Sequence, residues 1–488
     1  MELKKILNNI DYELKSGDLT KNITELKYDS REIEKDNLFV AISGFETDGH
    51  QYIDQALDKG AAAVVLEKDR EKYEKGVTYI KVKNSRKIMA EIAKNFFSDP
   101  LKDINLIGIT GTNGKTTTSY LLYNILKEYK SKAALFGTIK NIIGEQELGS
   151  KRTTAESVDL YRYFAQMREK NIKYGVMEVS SHALDLYRVY GMDFKAAVFT
   201  NISQEHLDYH ENLENYREVK SKLFSQLKSN NFAVINNDDQ NSDYIKAKSQ
   251  GKNYTYSLDS ETADLYTTQF KLHSQGMEYK TGGKVNSKFL LNLGGIFNIY
   301  NSLAAILTAY LLGINETVIK KALTKINSVP GRFEIINAGQ DFQIVVDYAH
   351  TPDGMKNVLE TAAAMEKNKL IVLFGCGGDR DRSKRPAMAE LAEKYADYII
   401  VSNDNPRSEN PQQIFSEIKK GFSKKFSAYE IIADRQKAIE KAIKIAKKDD
   451  LVMLLGRGHE KYQVLKDGKI ELDDRKVAYQ AAEKVKGS

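Results

Sequence analysis

The segment whose residues indicate a chemical role most clearly is Thr110–Thr117, TGTNGKTT. It lies between an apolar strand pattern and a helix pattern. Its two glycines allow a tight turn in which successive backbone N–H groups face one phosphate. Lys115 adds a positive charge near the β- and γ-phosphates, and the Thr116 hydroxyl can ligate Mg²⁺. The segment is therefore interpreted as a phosphate-binding loop. It is a variant of the common pattern, because Ile109 occupies the position of the first glycine.

A metal bound beside a phosphate needs further ligands, and two residues that follow neighbouring strand patterns are candidates. Glu178 lies at the end of the apolar run Tyr174–Glu178, and His206 follows the next strand pattern along the chain. Carboxylate oxygens are ligands that Mg²⁺ prefers. Lys220 lies in an amphipathic helix pattern, YREVKSKLF, in which spacing alone predicts a solvent-facing lysine.

Two polar loops follow strand patterns near the C-terminus. The first, GCGGDRDRSKRP, lacks the last glycine of a dinucleotide fingerprint because Arg380 occupies its place. The second is Asp404–Arg407, DNPR. There Arg407 could clamp a carboxylate while Asp404 accepts an ammonium, a combination that suits an amino acid. A solvated turn is the alternative interpretation of these four residues.

The elements that position these residues are short strands alternating with helices, which predicts an α/β protein. The chain has 488 residues, enough for about three domains. Asp99-Pro100 ends one helix pattern, and the VPGR segment at 329–332 follows another as a linker. The predicted domains are therefore 1–98, 99–330 and 331–488. Alternating polar and apolar residues over 252–293 predict an antiparallel excursion within the central domain.

Composition excludes several classes of protein. A hydrophobic content of 41% and a charged content of 29% are typical of a soluble globular chain, and a net charge of +6 is too small to indicate a nucleic-acid partner. The single cysteine, Cys376, cannot form an intramolecular disulfide, which fits a reducing compartment. With neither a leader pattern nor a membrane-length apolar window, we expect a cytoplasmic protein with no membrane partner.

Taken together, these motifs resemble those of the Mur ligase family. Within it they are most similar to the branch that adds a diamino acid as the third residue of the peptidoglycan peptide. The resemblance spans nearly the whole chain, in order, through TGTNGKTT, MEVSSHAL, FTNISQEHLDYH, YREVKSKLF, FNIYNSLAA, PGRFE, VDYAHTPDG, FGCGGDRDRSKRP, DNPRSENP and GRGHE. It implies an N-terminal domain that binds a uridine nucleotide, a central ATPase domain and a Rossmann-like C-terminal domain.

The resemblance also implies roles for individual residues. The implied catalytic residues and magnesium ligands are Lys115, Thr116, Glu178, His206 and Lys220, the last as a carbamate. The implied ATP contacts are Thr112, Asn113, Gly114, Lys115, Thr116, Thr117, Asn298, Arg332 and Asp347. The implied contacts to the UDP-muramoyl-peptide are Ser30, in the motif YDSR, with Thr153, Thr154, Ser180 and Arg188. The implied contacts to the diamino acid are Arg385, Asp404, Asn405, Pro406, Arg407, Gly456 and Glu460.

The implied reaction joins a diamino acid to the D-glutamyl side chain of UDP-N-acetylmuramoyl-L-alanyl-D-glutamate, through an acylphosphate and with ATP and Mg²⁺, in a monomer. The sequence does not distinguish meso-diaminopimelate from a near-isostere such as lanthionine, so both are candidate substrates. Three positions depart from the family pattern: Ala155 for proline, Glu205 for aspartate, and Arg457 for lysine. Alternative interpretations are a ligase like folylpolyglutamate synthetase, a nucleic-acid translocase and a non-catalytic nucleotide-binding protein.

Overall fold

The computed structural model describes residues 1–44, 47–205, 207–273 and 276–486. His206, one of the metal ligands implied by the family resemblance, lies outside these residues. Three large sheets of parallel strands, each flanked by helices, follow one another along the chain, as the α/β prediction requires. No helix in the described ranges combines the length and the apolar character needed to cross a membrane.

The N-terminal region contains a five-stranded sheet in the order β1-β5-β4-β3-β2, in which only β1 is antiparallel to its neighbour. Its strands are β1 (Glu13–Ser16), β2 (Leu26–Lys27), β3 (Leu38–Val40), β4 (Ala63–Leu66) and β5 (Thr78–Lys81). Its helices are α1 (Leu3–Ile6), α2 (Ile53–Asp58) and α3 (Ser85–Phe96), with single 3₁₀ turns at Ser30–Glu32, Gly49–Tyr52 and Pro100–Asp103.

The central region contains an eleven-stranded sheet in the order β16-β15-β14-β13-β12-β11-β6-β10-β7-β8-β9. Its strands are β6 (Asn105–Thr110), β7 (Ala134–Phe136), β8 (Lys140–Ile143), β9 (Gln146–Gly149), β10 (Tyr174–Glu178), β11 (Phe194–Phe199), β12 (Phe232–Asn236), β13 (Lys252–Ser257), β14 (Leu265–His273), β15 (Gly276–Gly283) and β16 (Lys288–Leu291). Its helices are α4 (Lys115–Lys130), α5 (Ser157–Glu169), α6 (Ser181–Asp185), α7 (Leu207–His210), α8 (Leu213–Ser225), α9 (Ser242–Lys248), α10 (Phe297–Leu311) and α11 (Glu316–Thr324).

The antiparallel part of this sheet differs in extent from the prediction. β12 with β13, and β13 with the start of β14, still pair in parallel. The antiparallel pairs at that edge are β14 with β15 and β15 with β16. The helical crossover α9 between β12 and β13 explains this, because such a connection returns the chain in the same direction. The hairpin of β8 and β9 adds two antiparallel strands at the opposite edge, which the sequence analysis did not predict.

The C-terminal region contains a six-stranded sheet in the order β17-β18-β22-β19-β20-β21 and a separate hairpin of β23 and β24. Its strands are β17 (Glu334–Ile336), β18 (Gln343–Asp347), β19 (Leu370–Phe374), β20 (Tyr398–Val401), β21 (Tyr429–Ile431), β22 (Leu451–Leu455), β23 (Tyr462–Leu465) and β24 (Gly468–Glu471). Its helices are α12 (Pro352–Ala364), α13 (Lys384–Tyr395), α14 (Pro411–Lys419), α15 (Arg435–Ile445) and α16 (Asp474–Lys486).

The three regions are joined in different ways. One continuous hydrophobic cluster runs from the N-terminal region, for example Leu3 and Ile92, into the central region at Met167 and Phe194. The C-terminal region has separate cores on the two faces of its own sheet. Several of its contacts with the central region are polar, and a polar interface of this kind permits movement between domains.

Candidate active site

The predicted phosphate-binding loop joins β6 to α4 at the centre of the large sheet. Gly111 and Gly114 adopt φ angles of 151° and 85°. A Cβ atom at Gly114 would lie 2.3 Å from Asn301 Oδ1, so this position needs glycine for space as well as for conformation. The loop closes on itself through Lys115, whose Nζ donates to the carbonyl oxygens of Gly111 and Thr112, each at 2.8 Å. The loop thus wraps around the first turn of α4, the arrangement in which helix N–H groups bind a phosphate.

Glu178 ends β10, the strand beside β6, and its side chain is fully buried. Its Oε2 accepts hydrogen bonds from the hydroxyls of Thr116, at 2.9 Å, and Thr138, at 3.0 Å. Its Oε1 accepts from the backbone N–H of Thr138 at 2.9 Å. A Cβ atom at Gly137 would lie 2.2 Å from that oxygen, so glycine makes room for the carboxylate. Glu178 therefore faces the phosphate loop, and its role as a metal ligand stays a prediction.

The oxygens around Glu178 fit a magnesium ion. Mg²⁺ is commonly held by one or two protein oxygen ligands together with phosphate oxygens and water, which matches a carboxylate beside the Thr116 hydroxyl. Within the described part of the chain, no group of three or more His, Cys, Asp or Glu side chains could hold a metal.

Lys220 lies on α8 with 1% of its surface exposed, so the solvent-facing position predicted from spacing is wrong. Its Nζ donates to Gly111 O at 2.8 Å and lies 4.4 Å from the centre of the Tyr216 ring. The pKa of Lys220 is lowered well below its usual value, by burial first and then by the charge of Lys115. The prediction from residue spacing is wrong because the face of α8 that carries Lys220 packs beneath the phosphate loop instead of facing water.

A cavity of about 460 Å³ lies between the central and C-terminal regions, beside the phosphate loop. Five of the predicted ATP contacts line it: Asn113, Gly114, Thr117, Arg332 and Asp347. Arg332 donates from Nη2 to Thr116 Oγ1 at 3.1 Å and stacks on Tyr348, 4.6 Å from its ring centre. Burial raises the pKa of Asp347, whose two oxygens accept backbone N–H groups from residues 333 and 349. Arg332, in the linker, and Asp347, at the end of β18, therefore form part of the cavity wall that the C-terminal region contributes.

Asn298, another predicted ATP contact, lies behind the cavity wall. It is fully buried, and its Oδ1 accepts from Asn301 Nδ2 at 2.9 Å. Asn301 lines the cavity, and its Oδ1 accepts from Thr118 at 3.3 Å. Asn301 therefore lies at the cavity and Asn298 behind it, and the contact of Asn298 with ATP stays a prediction.

Asp353, in the first turn of α12, ties the two regions together. Its Oδ2 accepts from Asn113 Nδ2 at 2.7 Å and from Ser203 Oγ at 2.9 Å. Sequence reasoning missed it because an acidic residue that follows a proline at the start of a helix is typical of helix N-termini. The phosphate loop is thus bonded directly to the C-terminal region.

A second cavity, of about 760 Å³, lies next to the first. Five residues line both cavities: Ser203, Tyr348, His350, Thr351 and Asp353. The second cavity is also lined by five of the predicted diamino-acid contacts, which are Asp404, Asn405, Arg407, Gly456 and Glu460. His350 and Glu205 face each other at 3.6 Å on its wall. A nucleotide and an amino acid bound in these cavities would be neighbours.

Asp404 offers the second cavity a buried acceptor. The residue is 7% exposed, and its Oδ2 has no hydrogen-bond partner among the described residues, while Oδ1 accepts from the N–H of Asn405. A Cβ atom at Gly456 would lie 2.7 Å from Oδ2, so glycine keeps this oxygen accessible. A buried carboxylate oxygen that lacks a partner is suited to an ammonium group.

Arg407 and Glu460 provide opposite charges on the same cavity wall. Arg407 adopts φ +52°, and its Nη1 donates to Gly378 O at 2.8 Å. Burial lowers the pKa of Arg407, and burial followed by the charge of Asp404 raises that of Glu460. Asn405 Nδ2 donates to Glu460 Oε2 at 2.7 Å. The solvated-turn alternative for the DNPR segment is wrong, because its aspartate and asparagine are buried.

Arg385 does not line the second cavity. It is fully buried and donates to Glu409 twice at 2.8 Å and to Glu417 at 2.6 Å, with Gly377 O at 3.2 Å. Hydrogen bonding to Glu409 raises the pKa of Arg385, and that bond lowers the pKa of Glu409 to about 2. The structure therefore shows Arg385 as a support of the wall, and its contact with a diamino acid stays a prediction.

The predicted muramoyl-peptide contacts of the central region form one group. Ser180 N donates to Thr154 Oγ1 at 3.1 Å, and Arg188 Nη1 donates to Thr154 O at 3.1 Å. Thr153 Oγ1 lies 3.1 Å from Thr138 Oγ1, whose hydroxyl donates to Glu178, and Thr138 so connects this group to the phosphate site.

Ser30, the contact predicted in the N-terminal region, lies in a separate 3₁₀ turn. Its Oγ donates to Gln55 Oε1 at 2.6 Å.

Family models match three consecutive segments of the chain. They are described as Mur ligase family, catalytic domain, at residues 22–97, Mur ligase middle domain at 109–309, and Mur ligase, glutamate ligase domain at 331–458. A protein of Clostridium tetani named UDP-N-acetylmuramoyl-L-alanyl-D-glutamate--2,6-diaminopimelate ligase is 43% identical over 99% of this chain and 100% of its own length. The chain belongs to the Mur ligase family.

Other relatives and structures agree with this membership. A protein of the same name from Caldanaerobacter subterraneus is 44% identical over 98% of both chains. The solved structure of a UDP-N-acetylmuramoyl-L-alanyl-D-glutamate--2,6-diaminopimelate ligase, 31% identical, superposes with a TM-score of 0.71 over 100% of this chain and 99% of that one. A folylpolyglutamate synthase of Mycobacterium tuberculosis has a TM-score of 0.63 over 81% of this chain and 94% of its own, but at 16% identity it shows the shared fold alone.

This Mur ligase also has a buried carboxylate that sequence reasoning missed. Glu156 is 2% exposed and pairs with Arg188 at 2.9 Å and Arg152 at 2.5 Å, with Arg86 of the N-terminal region at 3.7 Å. An acidic residue just before a helix pattern carries no signal that distinguishes it from an exposed one. It connects the N-terminal region to the predicted muramoyl-peptide contacts.

Proposed function

We propose that this chain is an ATP-dependent ligase that joins a diamino acid with a distal carboxylate to the D-glutamyl side chain of UDP-N-acetylmuramoyl-L-alanyl-D-glutamate. The observation that carries the proposal is the common wall of the two cavities, which sets a nucleotide site beside an amino-acid site. Full-length relatives that bear the name of this activity support it. The substrate is meso-diaminopimelate or a near-isostere such as lanthionine.

The reaction activates a carboxylate that is otherwise a poor electrophile. A D-glutamyl carboxylate oxygen bonds to the γ-phosphorus of ATP, the bond to the β,γ-bridging oxygen breaks, and ADP leaves. The neutral amine of the diamino acid then bonds to the acyl carbon of the acylphosphate. The bond from that carbon to the phosphate oxygen breaks, and inorganic phosphate and one proton of the amine leave as the amide forms. Lys115 and Arg332, which meet at the phosphate loop, would offset the negative charge on the transferred phosphoryl group.

Each of the other groups has a positioning role in this scheme. Glu178 and Thr116 would hold Mg²⁺, which supplies charge neutralisation on the phosphates when bound. His206 is assigned as a further ligand from the family resemblance. Lys220 is assigned as a carbamate, since burial lowers the pKa of its amine and a neutral amine is the form that adds CO₂. The carbamate would be an anion next to Lys115.

Selection of the diamino acid falls to the second cavity. The oxygen of Asp404 without a partner would accept an ammonium, and the Arg407 guanidinium would bind the distal carboxylate. Pro406 keeps the segment extended before Arg407.

We assign domains 1–98, 99–330 and 331–488 to the muramoyl nucleotide, ATP and the amino acid. We also assign a monomer that acts in the cytoplasm. Closure of the C-terminal domain would bring the amine to the acylphosphate and exclude water.

The deciding experiment measures phosphate release from MgATP and UDP-N-acetylmuramoyl-L-alanyl-D-glutamate with meso-diaminopimelate, lanthionine or lysine. We expect turnover with the two dicarboxylates and little with lysine. Turnover with lysine alone would contradict the role of Arg407 while keeping the ligase. Turnover with a folate substrate in place of the muramoyl nucleotide would replace the proposal by the folylpolyglutamate alternative.

A further inference from the structure

Beneath the Asp404–Arg407 segment lies a buried ionic group that the scheme above does not use. Arg435, Arg457 and Asp474 are each at most 1% exposed. Arg435 donates to the Asp474 carboxylate from Nε at 3.0 Å and from Nη2 at 2.6 Å. Arg457 Nε lies 3.4 Å from Asp474 Oδ1. Buried charges cost several kcal/mol each unless they are well paired, so hydrophobic packing alone does not explain this arrangement.

Arg457 connects this ionic group to the wall of the second cavity. Its Nη2 donates to Leu472 O at 2.9 Å and its Nη1 to Asn405 Oδ1 at 3.0 Å. The same Oδ1 accepts from the backbone N–H of Val464 at 2.8 Å, while Asn405 Nδ2 donates to Glu460. The Asn405 oxygen accepts from two donors and its nitrogen donates to a carboxylate. A flipped amide would lose these bonds, so the amide has one orientation. Its rotation is therefore coupled to the position of the Arg457 guanidinium.

Asn405 lies between the two charged groups proposed to bind the diamino acid. On one side it holds the Glu460 carboxylate at 2.7 Å. On the other it holds β23 at Val464, whose carbonyl oxygen accepts from the Arg407 N–H at 3.1 Å. Arg407 has a positive φ, which a non-glycine residue adopts only where its surroundings impose it. A shift of Asn405 would move both charged groups.

We infer that Arg457 and Asp474 are positioning residues for diamino-acid selection. They act on the separation between Arg407 and Glu460 through Asn405 and through Arg457 Nη1, which also lies 3.5 Å from Glu460 Oε2. The inference rests on the proposed function and extends it to residues that do not line the cavity. Lysine, which the family resemblance leads one to expect at position 457, carries a single nitrogen. It lacks the planar fork with which arginine reaches Asn405, Leu472 O and Asp474 together.

The test compares Asp474→Asn and Arg457→Lys with the wild-type chain in the phosphate-release assay. We expect KM for meso-diaminopimelate to rise about tenfold in each variant and the preference for meso-diaminopimelate over lysine to fall by a similar factor. Arg457 loses its ionic contact with Asp474 in one variant, and the hydrogen bonds of its guanidinium in the other. KM for ATP and for the muramoyl nucleotide should be unchanged. Asp473→Asn is the matched control, because Asp473 is a buried carboxylate one residue away that pairs with Arg475 at 2.7 Å.

Each outcome bears on the inference. If both variants fold and keep the wild-type preference and KM for the diamino acid, the inference is overturned. An equal loss with all amino acids, or the same loss in Asp473→Asn, would show a merely structural role and also overturn it. If Asp474→Asn does not fold, Arg457→Lys, which keeps the charge, decides. Failure of the wild-type chain to turn over any diamino acid would overturn the proposed function, and this inference with it.

Discussion

Lys115 and Lys220 direct their ammonium groups at one acceptor, since both Nζ atoms lie 2.8 Å from the carbonyl oxygen of Gly111. Both side chains come from the central region, one from the phosphate loop and one from α8. Two cations at one carbonyl repel each other, and the pKa values of both lysines are lowered, with burial as the main cause. A change of Lys220 from cation to anion would turn this repulsion into attraction.

Replacement of Lys220 tests that change of charge. We expect Lys220→Ala to lower kcat by about 10²-fold or more, as for loss of one preorganised electrostatic contact, and short carboxylic acids to restore part of it. The wild-type chain in bicarbonate should carry the added mass of one CO₂ at Lys220. Lys222→Ala, on the same helix at a half-exposed position paired with Asp185, is the control and should keep its activity. Wild-type activity of Lys220→Ala would rule out the carbamate.

Glu178 receives three hydrogen bonds, from two threonine hydroxyls and one backbone N–H, and these hold its carboxylate beside the phosphate loop. Glu178→Gln keeps the size of the side chain but removes its charge. We expect kcat to fall by about 10²-fold and the Mg²⁺ concentration for half-maximal activity to rise, because a hard anionic ligand is lost. The measurement is a magnesium titration of phosphate release. Glu147→Gln, at an exposed site on β9, should follow the wild-type curve, and an identical curve for Glu178→Gln would contradict the assignment.

Asp353 joins the phosphate loop to the C-terminal region through Asn113 and Ser203. We expect Asp353→Ala to raise KM for ATP about tenfold, since two hydrogen bonds to a charged acceptor are lost where the two regions meet. Initial rates at varied ATP concentration measure this. Lys356→Gln is the control, because Lys356 lies on the same helix, its side chain is 53% exposed, and among the partners described it pairs with Glu360 at 3.9 Å. An unchanged KM for ATP in Asp353→Ala would show that the contact does not help to form the nucleotide site.

Comparison of particular residues explains what the sequence could predict. The phosphate loop and Glu178 were predictable because each follows a strand of a parallel sheet, and the carboxyl ends of such strands meet at one edge. The burial of Lys220 was not predictable from helix periodicity, since a lysine on an amphipathic helix usually faces water. Asp353 and the Arg435–Asp474 pair were missed because they depend on how regions distant in the chain pack against each other. Periodicity within one element carries no information about such contacts.

The same argument applies to Arg385 and Asn298. A motif matched to a family names the residues of a site, but it does not distinguish a side chain that faces the cavity from one that supports its wall. Arg385 bonds two glutamates and Asn298 bonds Asn301, and only the three-dimensional packing separates these roles from direct contact.

His459 gives a prediction for stability against pH. Burial, followed by the charges of Arg332 and Arg475, lowers the pKa of His459 from 6.5 to about 3. Between these two values the unfolded chain binds a proton at this histidine and the folded chain does not. The free energy of unfolding should therefore fall as the pH falls from about 6.5 toward 3, by up to about 1.4 kcal/mol per pH unit from this group.

The variant His459→Gln separates this effect from that of the carboxylates, which titrate in the same range. Denaturant unfolding of both proteins at several pH values gives the difference in free energy of unfolding between wild type and variant. Above pH 7 that difference should be constant, because the imidazole is neutral in both states, and below about 6.5 it should shift in favour of the variant as acidity rises. A difference that stays constant down to pH 4 would mean that His459 titrates normally in the folded protein. Its imidazole would then not be desolvated where it packs beside Tyr348, with 5.2 Å between the two ring centres.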